Sequence, residues 1–161
     1  MLLAVFSDSH GTAGPMAAAV AKYQPDLVLF LGDGVRDAEA LRQRFPDLNC
    51  IILRGNCDFD RSYESDALLV LEGVKIFAAH GHNHGVKYGL DSFCNSVWCS
   101  GSQLGLYGHT HEPQWREIRG MQIMTPGSIG RGRRPTFGLI RLENGQADCR
   151  ILDAPETEES L

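Results

Sequence analysis

Five short apolar runs punctuate the N-terminal part of the chain: Leu2–Phe6, Leu27–Leu31, Ile51–Leu53, Val74–Ala79 and Leu104–Tyr107. They are rich in Val, Ile, Leu and aromatic residues and are bounded by Gly, Asp or Asn, the pattern of buried strands. Between them the period lengthens. Pro15–Tyr23 opens on a residue favoured at the first helical position, and Ala38, Leu41 and Phe45 share one helical face. Leu90, Phe93, Cys94, Val97 and Trp98 form another amphipathic helix before the fifth run. Strands alternating with helices predict an α/β chain with a partly parallel sheet.

The pattern then changes to paired strand-like runs about short turns. Glu72-Gly73, Arg119-Gly120 and Asn144-Gly145 each sit between β-prone segments, and Asn-Gly is the strongest hairpin signal of the three. About ten strands follow, too many for one comfortable sheet, so two packed mixed sheets with outer helices are expected. Residues 1–154 read as a single domain. From Pro155 the acidic stretch 155–161 lacks core residues and is expected to fray.

Composition narrows the class. A chain of 161 residues, 43% hydrophobic and 22% charged, suits one globular domain. No apolar run approaches the roughly 18 residues of a spanning helix, and Leu2–Phe6 lacks the basic flank of a signal peptide. A soluble cytoplasmic protein is expected. Five cysteines, without CxxC spacing, favour reduced thiols over a disulfide framework. The net charge of −5 argues against a broad nucleic-acid surface, so affinity for phosphate must come from a local source of positive charge.

Such a source is written at the run ends. Asp8-Ser9-His10 follows the first run, Gly32-Asp33 the second, Gly55-Asn56-Cys57-Asp58 the third, His80-Gly81-His82 the fourth and Gly108-His109-Thr110-His111 the fifth. Carboxyl ends of strands form the crevice where α/β sheets bind ligands, so residues distant in sequence can meet there. Taken singly, Asp8 could cap a helix, His10 could be surface polar, and Asp33 and Asn56 are ordinary turn residues. Gly-His-Thr-His is sharper, because two imidazoles one residue apart beyond a strand are costly for folding and useful for metals.

The ordered set resembles the calcineurin-like metallophosphoesterase superfamily: Asp-x-His, Gly-Asp, Gly-Asn-(His or Cys)-(Asp or Glu), His-Gly-His, then Gly-His-x-His. The match runs from Asp8 to His111. The short chain, Gly55-Asn56-Cys57-Asp58 and Pro126-Gly127-Ser128 are similar to the small prokaryotic YfcE-like phosphodiesterase branch. That resemblance implies a four-layer α/β/β/α sandwich of two mixed β-sheets flanked by helices. It also implies two divalent ions, one held by Asp8, His10 and His111, the other by Asn56, His80 and His109, with Asp33 bridging. Oxygen and imidazole ligands without an assigned thiolate suit Mn, Fe, Co, Ni or Zn; resemblance puts Mn²⁺ first. The implied activity is phosphodiester hydrolysis by a hydroxide bridging the two ions. A phosphomonoesterase of the same mechanism and a catalytically silent scaffold, like the retromer subunit of similar fold, are the alternatives. The expected partner is a small phosphate ester, with no membrane and no stable nucleic-acid complex; a homo-oligomer is also implied.

Two ions with Asp8, Asp33 and a bridging hydroxide leave about one net positive charge to attract a phosphodiester. Cys57 stands where the wider superfamily commonly has a histidine as general acid, and nearby cations should lower its thiol pKa. Catalytic candidates are therefore Asn56, Cys57 and His82, the last either as the acid or as an orienting hydrogen-bond partner; Cys57 is alternatively a redox-sensitive thiol. His84 reads as a solvent-facing loop residue. Arg131, Arg133 and Arg134 read as a phosphate clamp or a solvated basic turn, Arg54 as a group leaning toward the site or capping a strand, and Cys94 and Cys99 as packing residues.

Overall fold

The computed structural model describes residues 1–157; of the tail expected to fray, residues 158–161 lie outside the described residues. The elements run β1 (Leu2–Phe6), α1 (Gly14–Tyr23), β2 (Leu27–Phe30), α2 (Val35–Arg44), β3 (Asn49–Ile52), β4 (Asp66–Leu71), β5 (Val74–Ala79), a 3₁₀ turn (His82–His84) and α3 (Asp91–Cys99). They continue as β6 (Leu104–Tyr107), β7 (Gln114–Ile118), β8 (Met121–Thr125), β9 (Thr136–Glu143) and β10 (Gln146–Asp153). One sheet has the order β10-β9-β1-β2-β3 and the other β4-β5-β6-β8-β7. In each, three neighbouring strands are parallel and the rest antiparallel.

The continuous apolar runs have a simple cause. Along β1, Leu3 and Val5 enter the core between the sheets, where they meet Ile76, Leu104 and Leu106 of the opposite sheet. Ala4 and Phe6, the alternate residues, pack under α1 and α2 with Met16, Val20, Ala38 and Leu41. The second sheet's outer face is covered by α3 through Phe93, Cys94 and Val97. The result is an α/β/β/α sandwich of two mixed sheets.

All three dipeptide turns close hairpins with both residues at positive φ: Glu72 and Gly73 at 49° and 77°, Arg119 and Gly120 at 52° and 73°, Asn144 and Gly145 at 49° and 73°. That is the geometry whose twist matches paired strands. Three expectations on side chains are corrected. Trp98 falls off the buried face of α3 and is 58% exposed. Cys99, at the helix end, is exposed rather than packed. Phe45 lies one residue beyond α2, packing partly against the core as its C-cap. Among the described residues no helix is long and apolar enough to cross a membrane.

Candidate metal centre

The first, second and third strands of the parallel order deliver Asp8, His10, Asp33 and Asn56 from one sheet; β5 and β6 deliver His80, His109 and His111 from the other. Backbone hydrogen bonds weld the loops into one rim, Asp8 N–H to Gly32 O at 2.9 Å and His10 N–H to Asp33 O at 3.1 Å. Asp8, His10, Asp33, His109 and His111 all adopt left-handed backbone, with φ between 46° and 72°. Non-glycine residues held there cost of order 1 kcal/mol each, and such strain concentrates at functional sites. Close approach also fixes the glycines: a Cβ on Gly55 would sit 2.1 Å from Asp33 Oδ1, and one on Gly108 would sit 2.0 Å from Ser7 Oγ.

Asp8 is fully buried. Its Oδ2 accepts from Ser7 Oγ at 2.5 Å and from the His109 N–H at 3.0 Å. Its Oδ1 is buried without a hydrogen-bond partner. That oxygen lies 3.2 Å from His111 Nε2, 3.7 Å from His10 Nε2 and 4.0 Å from His80 Nε2. Asp33 Oδ1 accepts the Cys57 N–H at 2.8 Å, while Oδ2 lies 3.3 Å from His80 Nε2 and 3.9 Å from His10 Nε2. His80 Nδ1 is 2.7 Å from the Leu31 carbonyl. A carbonyl only accepts, so Nδ1 carries a proton, and in the neutral form of the ring the Nε2 lone pair faces inward. There Nε2 meets Asn56 Oδ1 at 3.1 Å and His109 Nδ1 at 3.2 Å. His10 Nε2 and His111 Nε2 are likewise 3.2 Å apart.

Among the described residues, three groups of donor atoms fall within 4.8 Å of one another: Asp8–His10–His111, Asp33–His80–His109 and His10–Asp33–Cys57. Each of the first two draws on both sheets. Imidazole nitrogens converging on an unsatisfied carboxylate oxygen form a set of hard and borderline donors that fits a divalent cation. The third group brings the Cys57 thiol to the same place.

The charges are coupled. Burial would raise the Asp33 carboxyl, but the hydrogen bond and charge of His80, with the Cys57 N–H, hold it well below the usual range. Burial works against a charged His80, yet Asp33 and Asp8 prevail and raise its pKa. His109 is pushed down to about 4 by burial and by His80. Burial, then Asp33, pushes the Cys57 thiol up, so the protein's own groups oppose the lowering expected from nearby cations.

His82 is half-buried on the 3₁₀ turn, its ring 5.3 Å from that of His80 and 6.2 Å from that of His109. Its Nδ1 is buried without a partner, and burial, His80 and Arg54 shift it down. Arg54 is half-buried, its Nε without a partner among the described residues. His84 is not a solvent-facing residue: its Nε2 pairs with Asp66 Oδ2 at 2.9 Å and its ring stands edge-on to Phe77 and Phe93. Arg131, Arg133 and Arg134 are exposed, and Arg134 pairs with Asp153.

Two carboxylates shape the rim from behind. Asp58 accepts four backbone N–H groups, from Asp33 and Gly55 at 2.7 Å, Gly34 at 2.9 Å and Val35 at 3.0 Å. Asp37 accepts from Ser9 Oγ at 2.5 Å and the Gly11 N–H at 2.8 Å. Asp58 closes the Gly-Asn-Cys-Asp motif without that motif assigning it this role, and no pattern marks Asp37, because the positions of their donors are supplied only by the fold.

Residues 1–145 match the family model of the calcineurin-like phosphoesterase superfamily domain. The chain belongs to that superfamily. It is 31% identical over 162 residues to the probable metallophosphoesterase YsnB of Bacillus subtilis, covering 98% of this chain and 94% of that protein. The fold also matches a predicted phosphoesterase of Streptococcus pneumoniae, with a TM-score of 0.80 at 24% identity over 94% of this chain and 88% of that one. Vps29 of Entamoeba histolytica, complexed with Zn²⁺, shares the fold with a TM-score of 0.78 at 17% identity, covering 95% and 99% of the two chains. Membership of this superfamily implies use of divalent metal, and the His and Asp groups above are its candidate ligands.

Proposed function

We propose that this protein is a metal-dependent phosphodiesterase. The observation carrying this reading is Asp8 Oδ1, an anionic oxygen buried without a donor and faced by three imidazole nitrogens. An unpartnered buried carboxylate oxygen is expensive unless a cation completes it. In this reading Asp8, His10 and His111 hold one divalent ion, Asn56, His80 and His109 the second, and Asp33 is shared. Mn²⁺ is the first choice, with Fe, Co, Ni or Zn as substitutes. When bound, such ions supply Lewis acidity toward the phosphoryl oxygens and make water nucleophilic near neutral pH.

The protein's own part is orientation and proton delivery. The Leu31 carbonyl fixes the His80 tautomer, and the Cys57 N–H fixes the Asp33 carboxylate. Cys57 and His82 flank the cluster as candidate donors to the leaving oxygen. Neither donates readily near neutral pH: burial and Asp33 make the thiol hold its proton more tightly, and burial and His80 leave the His82 imidazole less often protonated. Esters whose leaving groups depart readily are therefore favoured.

The test is elemental analysis of the purified protein together with a panel of mono- and diesters, cyclic nucleotides included, assayed with Mn²⁺. We expect close to two metal equivalents per chain. Hydrolysis of bis(p-nitrophenyl) phosphate should exceed that of p-nitrophenyl phosphate at least tenfold. A reversed preference makes the protein a phosphomonoesterase, and absence of both metal and turnover makes it a scaffold.

A further inference from the structure

A cavity of about 720 Å³ lies against the outer face of the second sheet, walled by α3 on one side and β7 on the other. Its size is that of a small-molecule site. Thr110, the residue between His109 and His111, forms part of the wall, so the cavity adjoins the candidate centre; the Thr110 hydroxyl is buried without a partner.

The charge of this cavity runs against that of the chain. Lys87, Arg116 and Arg119 all line it. The ion pairs of Lys and Arg among the described residues are Arg134–Asp153 and Arg150–Asp148, so none of the three is neutralised by a carboxylate at contact distance. Arg119 donates to the neutral Asn95 amide oxygen at 3.0 Å and keeps its charge uncompensated. Opposing them are Asp91 and Glu112, and Asp91 occupies the first turn of α3, where the helix dipole offsets part of its field. Three cations against two carboxylates give local positive charge on a protein of net charge −5. Leu90, Ile118 and Tyr107 supply apolar wall beside these cations. A cavity with an apolar side and a cationic side suits a ligand built the same way.

We propose that this cavity binds an organic phosphate of nucleotide size, its anion on Lys87 and Arg116 and its ring system against Tyr107, Leu90 and Ile118. The ligand is either the arm of the substrate beyond the scissile phosphate or a separate effector. The substrate-arm form rests on the phosphodiesterase reading; binding itself does not.

Calorimetry on the full chain, treated with chelator, tests the binding with adenosine 5′-monophosphate as probe and adenosine as control. The nucleotide should bind at least tenfold more tightly than adenosine, more weakly as salt rises, and at least tenfold more weakly to the Lys87→Ala/Arg116→Ala protein. Both residues are exposed, so the variant should fold; a retained melting temperature checks this. Equal binding to wild type and variant, or no binding of the nucleotide at millimolar concentration, overturns the proposal. The source is read with Mn²⁺ present, as the ratio of kcat/KM for 5′-phosphorylated adenylyl-adenosine to that for adenylyl-adenosine. A wild-type ratio of tenfold or more that collapses in the variant assigns the substrate arm. A ratio near one, with a nucleotide-dependent rate on bis(p-nitrophenyl) phosphate, assigns an effector. If wild type hydrolyses no ester, the phosphodiesterase reading fails while calorimetry still decides the cavity.

Discussion

Asp58 holds Asp33 by its main chain: one carboxylate accepts the Asp33 N–H at 2.7 Å and, through its other oxygen, the N–H groups of Gly34 and Val35 that begin α2. The same side chain takes the Gly55 N–H, so the loops after β2 and β3 are joined at one point. The placement of Asp33 thus depends on a residue that makes no contact with the cluster of imidazoles in its own right.

Asp58→Ala should damage both stability and activity. Losing a charged acceptor for four N–H groups should cost about 3 kcal/mol, or roughly 6–12 °C in Tm. Loss of support behind a metal ligand typically costs about 10–100-fold in activity or metal affinity. Thermal melts and turnover of bis(p-nitrophenyl) phosphate check this, and a variant melting within about 2 °C of wild type would remove Asp58 from the framework.

Asp33→Asn should separate activity from stability. The amide oxygen can still accept the Cys57 N–H, but a full negative charge leaves the space between His10 and His80. Turnover of bis(p-nitrophenyl) phosphate should fall at least about 100-fold while the melting temperature of the chelator-treated protein moves little. Activity within threefold of wild type would show that Asp33 is not shared between two ions.

His109→Ala should empty one ligand group and spare the other, because His109 belongs with Asp33 and His80 whereas Asp8, His10 and His111 form a separate set. Metal content should drop from close to two toward one equivalent per chain. Two equivalents retained at unchanged affinity would overturn the ligand assignment, whatever the activity.

Cys57→His should change how rate depends on the leaving group. With weak donors the leaving oxygen departs carrying most of its charge, so log kcat/KM should fall steeply from nitrophenol to alkyl esters. An imidazole at position 57 should flatten that slope, provided metal content is unchanged in the same sample. A wild-type slope that is already shallow and steepens only in His82→Ala would assign the proton to His82 instead.

Much of this architecture is legible in the chain. β1, β5 and β6 match their apolar runs residue for residue, because strands buried on both faces leave an uninterrupted signal in β1 and β6, and in β5 only Lys75 breaks it. The proposed ligands are legible for a related reason: each lies at the end of such a run, and α/β topology gathers those ends. What the chain hides depends on three-dimensional partners. His84 looks like a loop residue until β4 brings Asp66 and α3 brings Phe93 against it. Trp98 fits a helical face on paper, yet α3 turns Phe93, Cys94 and Val97 onto the sheet and leaves the indole outside that buried stripe. Asp58 is legible as a motif position but its role is not, and Asp37 is not marked at all, because main-chain N–H groups carry no residue identity.

Both main ligand groups draw residues from the two sheets, Asp8 and His10 with His111, and Asp33 with His80 and His109. A cation in either group is therefore a clasp across the sandwich, at the end that carries these five loops. Sliding one sheet over the other must open that clasp before the apolar layer between Leu29 and Ile76 can separate. Metal concentration then becomes a handle on mechanical integrity as well as on chemistry: each tenfold excess of ion over its dissociation constant should deepen the folded well by about 1.4 kcal/mol.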